Sequence, residues 1–219
     1  LSTPKRYLLL ILAVMIQSAG IALVVKSLLG TSPISSLPYV LSLISPFTFG
    51  QTTFAVNMVF VIFELLMLRR DFPTVFWLQI PVTILFGLCI DFFMRLFAIV
   101  PDFYSLQIAL CVLGTALVAL GVAGQGIADV LMLAGEGAVY IFAHKFHIDF
   151  GKVKVGNDIS LVVLAAIISL LTMGTIEGIR EGTLISALLT GIIARFYLRH
   201  LSRVDAHGRI YLAPHTHKS

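Results

Sequence analysis

Eight apolar stretches follow one another through most of this 219-residue chain, and that succession constrains the fold more than any motif does. A bilayer core about 30 Å thick takes roughly 20 residues of helix. Long stretches run from about Tyr7 to Leu28, Thr52 to Leu68, Phe76 to Val100 and Tyr104 to Ala123. Others run from about Gly126 to Phe146, Val155 to Met173 and Thr183 to Leu201, and a short one lies between Pro33 and Ser45. Hydrophobic residues make up 58% and charged residues 12% of the chain, against roughly 45–50% and 25% in soluble proteins. The expected class is an all-α integral membrane protein. A single membrane domain over 1–203 would be followed by a polar tail, 204–219. No cleavable signal peptide is expected, because the first run is as long as a span and no small-residue cleavage site follows it.

The breaks carry as much information as the runs. Gly30-Thr31-Ser32-Pro33 interrupts the first half, and Ser32 before Pro33 predicts a helix start with a hydroxyl cap and proline in the first turn. In the second half, Asp129, Gly135, Glu136 and Gly137 interrupt the stretch from Gly126. A shift of 101 positions lays Gly121 on Gly20, Ala123 on Ala22, Tyr140 on Tyr39, Phe150-Gly151 on Phe49-Gly50 and Asp158 on Asn57. With a small insertion, Gly191-x-x-x-Arg195-Phe196 falls on Gly87-x-x-x-Asp91-Phe92. The order of long, broken, long and long segments repeats as well. Both point to a duplication, with one repeat over about 7–100 and the other over about 104–201.

Basic residues distinguish two architectures. If all eight stretches cross, in parallel repeats, Arg69-Arg70 and the group Lys145, Lys152 and Lys154 fall on opposite sides. If the second and sixth stretches re-enter, the halves are inverted, with six spans. Lys5-Arg6, Arg69-Arg70, the three lysines and the tail arginines then share the cytoplasmic side, leaving Lys26, Arg95 and Arg180 outside. The positive-inside rule favours the second arrangement, with both termini cytoplasmic. Irregular backbone at membrane depth must be buried in protein or line a wet cavity, so the two interruptions are where a substrate site is expected.

These residues also carry a resemblance. Leu29 through Tyr39, then Phe47-Thr48-Phe49-Gly50, and Gln79-Ile80-Pro81-Val82-Thr83 leading to Gly87 and Ile90-Asp91, resemble the YczE-type bacterial membrane proteins. Gly126-Ile127-Ala128-Asp129 through Phe150-Gly151 is similar to the related YitT group. The resemblance covers about residues 7–200. It implies a bacterial inner-membrane location and several helices, and supplies no substrate.

Ionisable groups at membrane depth cost about 2.5–3.5 kcal/mol on insertion scales and usually face a cavity or a partner. Asp129 and Glu136, seven apart, share one face of a continuous helix or bracket a bend at Gly135 or Gly137. They could hold a cation, proton or amine, or be satisfied by backbone N–H groups at the break. Asp158 is placed to complement the helix dipole, or to join Asn57 in a central site. Asp91 and Arg95, at i,i+4, are expected to form an intramembrane ion pair. Glu64 is expected to reach toward Arg69-Arg70. Gln17, Gln79 and Gln125 suit interhelical hydrogen bonds, with Gln125 a further site candidate. Thr31, Ser32, Ser35 and Ser36 open the short helix and could receive an anion or carboxylate. Cys89 and Cys111 read as buried free thiols. His207, His215 and His217 read as a polar tail rather than a metal site.

The leading expectation is a secondary transporter or exporter of a small polar or amphiphilic solute, with proton coupling through Asp129, Glu136 or Asp158. The alternative is a non-transporting accessory, scaffold or sensor acting through partner proteins. No catalytic constellation is present: there is no HExxH, no GxSxG and no phosphate loop. No metal or cofactor is expected. The expected partners are the lipid bilayer, a small molecule or ion and a second copy of the chain. The formal charge of +4 lies at segment ends, so nucleic acid is not an expected partner.

Overall fold

Hydrocarbon offers no partner to a backbone N–H or C=O, so an apolar chain in a bilayer closes its hydrogen bonds within helices. The computed structural model, which describes residues 3–69, 72–204 and 210–212, follows that rule. Its helices are α1 (Thr3–Lys26), α2 (Pro33–Ile44), α3 (Phe49–Leu68), α4 (Gln79–Leu96), α5 (Tyr104–Ala128), α6 (Ala134–Phe146), α7 (Phe150–Met173) and α8 (Glu181–Leu201). A short 3-10 turn, Thr74–Leu78, leads into α4, and the three-residue strands β1 (Ser202–Val204) and β2 (Ile210–Leu212) pair antiparallel after α8. Arg70, Asp71 and the tail histidines His207, His215 and His217 lie outside the described residues.

Among the described residues, five helical segments are long and apolar enough to cross a membrane: Pro4–Lys26, Phe49–Leu68, Thr74–Leu96, Tyr104–Ala128 and Phe150–Met173. Helix α8 has 21 residues, about 32 Å at 1.5 Å per residue, but its described apolar part, Glu181–Ala194, is shorter. The expected six spans are thus five by this standard, with α8 as the sixth long helix. Helices α2 and α6 have 12 and 13 residues. At about 18 and 20 Å they reach only partway through a core of about 30 Å.

Several boundaries differ from the sequence expectation. Gly124 and Gly126 do not break α5, which runs on to Ala128 and ends where Asp129 takes the left-handed conformation. Gly135 and Gly137 are not a hinge either. They lie in the first turn of α6, where the missing side chains let Ile34 and Glu64 come close. Helix α7 starts at Phe150 rather than Val155, because Asp149 Oδ1 accepts from the Lys152 N–H and caps it. Helix α3 opens with a capping box, Thr48 and Gln51 each accepting from the other's backbone N–H.

The central contact is α1 against α5. A Cβ on Gly20 would collide with Gly114 and Val118, and one on Gly121 with Ala13 and Gln17. The helices run antiparallel, since higher positions on α1 meet lower positions on α5. Without a hydrophobic force between helices in lipid, such close backbone approach supplies the dispersion contacts that hold them. The 101-position shift converts Gly20–Gly114 into Ala13–Gly121 and Gly20–Val118 into Gln17–Gly121. The same exchange relates other packed pairs: α1 on α4 to α5 on α8, α2 on α3 to α6 on α7, and α2 on α7 to α6 on α3. The fold is therefore two inverted halves, and parallel repeats are excluded by the antiparallel α1 and α5. One pair departs from the symmetry. Gly50 and Gly87 bring α3 and α4 together, whereas α7 and α8 make no comparable contact among the described residues.

The ends of the helices sort onto two faces. On one, Arg6 near the start of α1 pairs with Asp129 after α5, and Gln79 at the start of α4 donates to the Met132 carbonyl in the same loop. Lys145 near the end of α6 donates to the Met67 carbonyl near the end of α3. On the other face, Gly182 N–H donates to Leu29 O and Arg180 to Leu28 O, joining the end of α1 to the start of α8. Asp91 near the end of α4 holds the start of α3 there. Arg6, Arg69, Lys145, Lys152 and Lys154 thus share a face, with Lys26, Arg95 and Arg180 on the opposite one.

Candidate functional site

Helices α2 and α6 each start inside the molecule and return toward the face their loop came from. Their first turns meet: Ile34 Cδ1 lies 2.6 Å from where a Cβ of Gly135 would stand. Around this junction is a cavity of about 20 Å³, room for a water-sized occupant. Gln17, Ser35, Thr53, Asn57 and Glu136 supply its polar groups, and the rest is mainly apolar, including Phe60 and Phe86.

Each sequence-predicted residue now has a place. Asn57 Nδ2 donates to the Thr53 carbonyl at 2.8 Å, and its Oδ1 has no partner among the described residues. Ser35 lines the cavity and accepts a 2.9 Å bond from Ser32 Oγ. Ser32 stands at the N-cap position of α2 but its hydroxyl makes no cap bond, being turned to Ser35 instead. Thr31 is occupied structurally: its N–H donates to Thr183 Oγ1 and its Oγ1 to the Gly178 carbonyl. It ties the α2 loop to the loop before α8. Gln125 lies behind the cavity wall, donating through Nε2 to Gln17 Oε1 and accepting from the Leu133 N–H. That pair fixes the side of the cavity contributed by α1 and the start of α6.

The carboxylates separate. Glu136 lines the cavity, within electrostatic reach of Lys154 and Asp158 on α7. Asp158 is not a helix cap, a role Asp149 takes. It pairs with Lys154 at 2.7 Å one turn earlier. Asp129 is 50% exposed and bridges Arg6 at 3.2 Å, so it belongs to the surface of one face and not to the cavity. Asp91 and Arg95 do not pair. Thr48 Oγ1 donates to Asp91 Oδ2 at 2.5 Å and Gly50 N–H to Oδ1 at 2.7 Å, so the carboxylate is committed to the start of α3. Spacing alone could not distinguish this tertiary partner from the local one.

The main residue that sequence reasoning misplaced is Glu64. It does not reach toward Arg69. It is wholly buried between α3, α4 and α6, and neither carboxylate oxygen has a hydrogen-bond partner. A Cβ on Gly137 would press on Glu64 Oε1 and lie 3.2 Å from Gln79 Nε2, which places the two side chains around one point. Asn57, Val61 and Glu64 share the buried face of α3 at helical spacing, so Glu64 continues the polar line that begins in the cavity. Its seven-residue spacing from Asn57 was the available signal. Among the described residues, no group of three or more His, Cys, Asp or Glu side chains is placed to hold a metal.

Inverted helical halves joined through two half-length helices at the centre define the molecule's class. The chain belongs to a family of unknown function, DUF6198, whose model matches residues 4–199. No curated protein and no solved structure matches it.

Proposed function

We propose that this protein is a secondary transporter or exporter of a small solute, residing in a bacterial inner membrane as the YczE-like resemblance implies. The observation that carries this reading is the meeting of α2 and α6, whose first turns converge from opposite faces on one largely apolar cavity with a few polar groups. Paired interrupted helices related by an inverted repeat are the arrangement that transporters use for midplane substrate sites. The uncapped first turn of α2 and the Asn57 amide offer hydrogen bonds to a solute, while the Glu136 carboxyl offers acceptor oxygens to an amine. The aromatic walls suit an apolar portion. By the positive-inside rule, the face carrying Arg6, Arg69 and Lys145 is cytoplasmic, and so are both termini. This reading assigns the chain no catalytic role and no cofactor, and leaves room for a homo-oligomer within the bilayer.

A closed bundle acting as an accessory or sensor is the competing function, and the small size of the cavity favours it. Side-specific thiol labelling separates the two. Asn57→Cys, in a background lacking Cys89 and Cys111, should react with a membrane-impermeant maleimide in both right-side-out and inside-out vesicles as the site opens alternately. Reaction from neither side would overturn transport in favour of the closed accessory.

A further inference from the structure

A second site lies one helical turn from the cavity, at Glu64. Its side chain is at 0% exposure, on the flank of α3 that faces the start of α4 and the first turn of α6. An ionised carboxylate removed from water costs several kcal/mol unless a cation or several donors hold it. Nothing here does. The titratable groups on the packed elements are Glu136, Tyr140, His144 and Lys145 on α6, Cys89, Asp91 and Arg95 on α4, Tyr39 on α2 and Arg69 at the end of α3. None bonds to Glu64. Lys145 is committed to the Met67 carbonyl, and Asp91 is at the opposite end of α4.

The oxygens around this point share one deficit, a missing donor. Glu64 Oε1 and Oε2 lack donors, and so does the neighbouring Gln79 Oε1, whose amide nitrogen is directed to the Met132 carbonyl. Three acceptors without a donor make an unsatisfied cluster. A single added hydrogen on the carboxyl supplies the missing donor, satisfies Gln79 Oε1 and removes the buried charge. A metal ion would need a cage of oxygens and space to sit in. Gly137 instead packs directly against the carboxyl group.

We propose that Glu64 is a proton-binding site, held as the neutral acid donating to Gln79 Oε1 in this conformation and giving up its proton when α6 moves away. The bond formed on loading is the O–H of the carboxyl, with the proton drawn from water at the face bearing Arg69 and Lys145. Its role as the coupling site rests on the transport reading above. Its protonation does not.

Infrared difference spectroscopy of the protein in nanodiscs, with deuterium exchange, reads the protonation directly. At neutral pH the wild type should show a buried carboxylic-acid carbonyl band that Glu64→Gln abolishes. Gln79→Leu should move the band to higher wavenumber, because the acid loses its acceptor, and a merely structural glutamate would show no such shift. A wild-type spectrum without the band, or a band untouched by Glu64→Gln, overturns the proposal. So does a rise in melting temperature with sodium that vanishes in Glu64→Gln, since that would make the occupant a metal ion. A second arm uses liposomes loaded with a pH-sensitive dye. Proton movement in wild type that is lost in Glu64→Gln extends the site to coupling. If the band belongs to Glu64 and no protons move, the binding site stands and the coupling role falls.

Discussion

Ile34 and Gly135, separated by 101 positions, touch each other at the centre of the molecule. The repeat offset maps one residue onto the other, so this contact lies on the axis that relates the halves. The α1–α5 crossing lies on it too, near Gln17 and Val118, midway between Ala13–Gly121 and Gly20–Gly114. Everything proposed about the cavity depends on this coincidence of symmetry and packing.

The crossing itself can be tested by volume. Even one methyl at Gly20 would stand 2.6 Å from the Val118 nitrogen and 2.7 Å from the Gly114 carbonyl oxygen, backbone atoms that cannot turn aside. Gly20→Ala is expected to destabilise the folded protein by about 1–3 kcal/mol. Gly156→Ala, where a methyl would meet nothing within 4 Å, should leave stability unchanged or raise it by up to about 1 kcal/mol through helix propensity. Thermal unfolding in detergent ranks them, and equal melting temperatures would contradict the packing described.

Asp91 should matter far more than the arginine one turn away. Asp91→Ala strips the start of α3 of a charged acceptor for Thr48 and Gly50 and is expected to cost about 1.5–3 kcal/mol. Arg95→Ala should cost under about 0.5 kcal/mol, as surface changes usually do. Comparable losses from both variants would restore the i,i+4 ion pair.

At Asp129 the expectation is small. Its bridge to Arg6 is half exposed, and such pairs are worth about 0–1 kcal/mol. Asp129→Asn should therefore unfold within about 1 kcal/mol of wild type. It should also leave two-sided labelling of Asn57→Cys unchanged. Lost labelling from either side would return Asp129 to the mechanism.

Sidedness has its own test. Cysteines replacing Arg69 and Lys145 should be labelled from one and the same side of the membrane, and a cysteine replacing Arg180 from the other. The hydrogen bond from Lys145 to the Met67 carbonyl requires the first two to agree. Labelling of those two from opposite sides would break the inverted arrangement.

Much of this architecture is legible in the sequence, for identifiable reasons. The apolar runs and the repeat offset are written in composition and order, and the offset reappears as contact exchange between α1 and α5. The ends of α5 and α6 were not legible. Gly124, Gly126, Gly135 and Gly137 look like breaks in a sequence, yet each lies within a helix, and close approach explains three of them: Gly124 against Ala13, Gly135 against Ile34 and Gly137 against Glu64. The site was half visible. Glu136, Asn57 and Ser35 were found because polar residues near interruptions are conspicuous. Glu64 stands five positions before Arg69, and in a largely apolar α3 that nearness competes with the seven-residue spacing from Asn57 that marks the buried face. Asp91 failed for a related reason: its partner is on another helix, forty-three positions away at Thr48.

The half-length helices have a consequence for how such a molecule can be built at all. A lone three-span unit would carry a central element reaching only midway, and it would be complete only beside a sibling inserted upside down. Two separate copies would leave their mutual orientation to the insertion machinery. Linking them in one polypeptide fixes the ratio at one to one and makes the opposed pair obligatory.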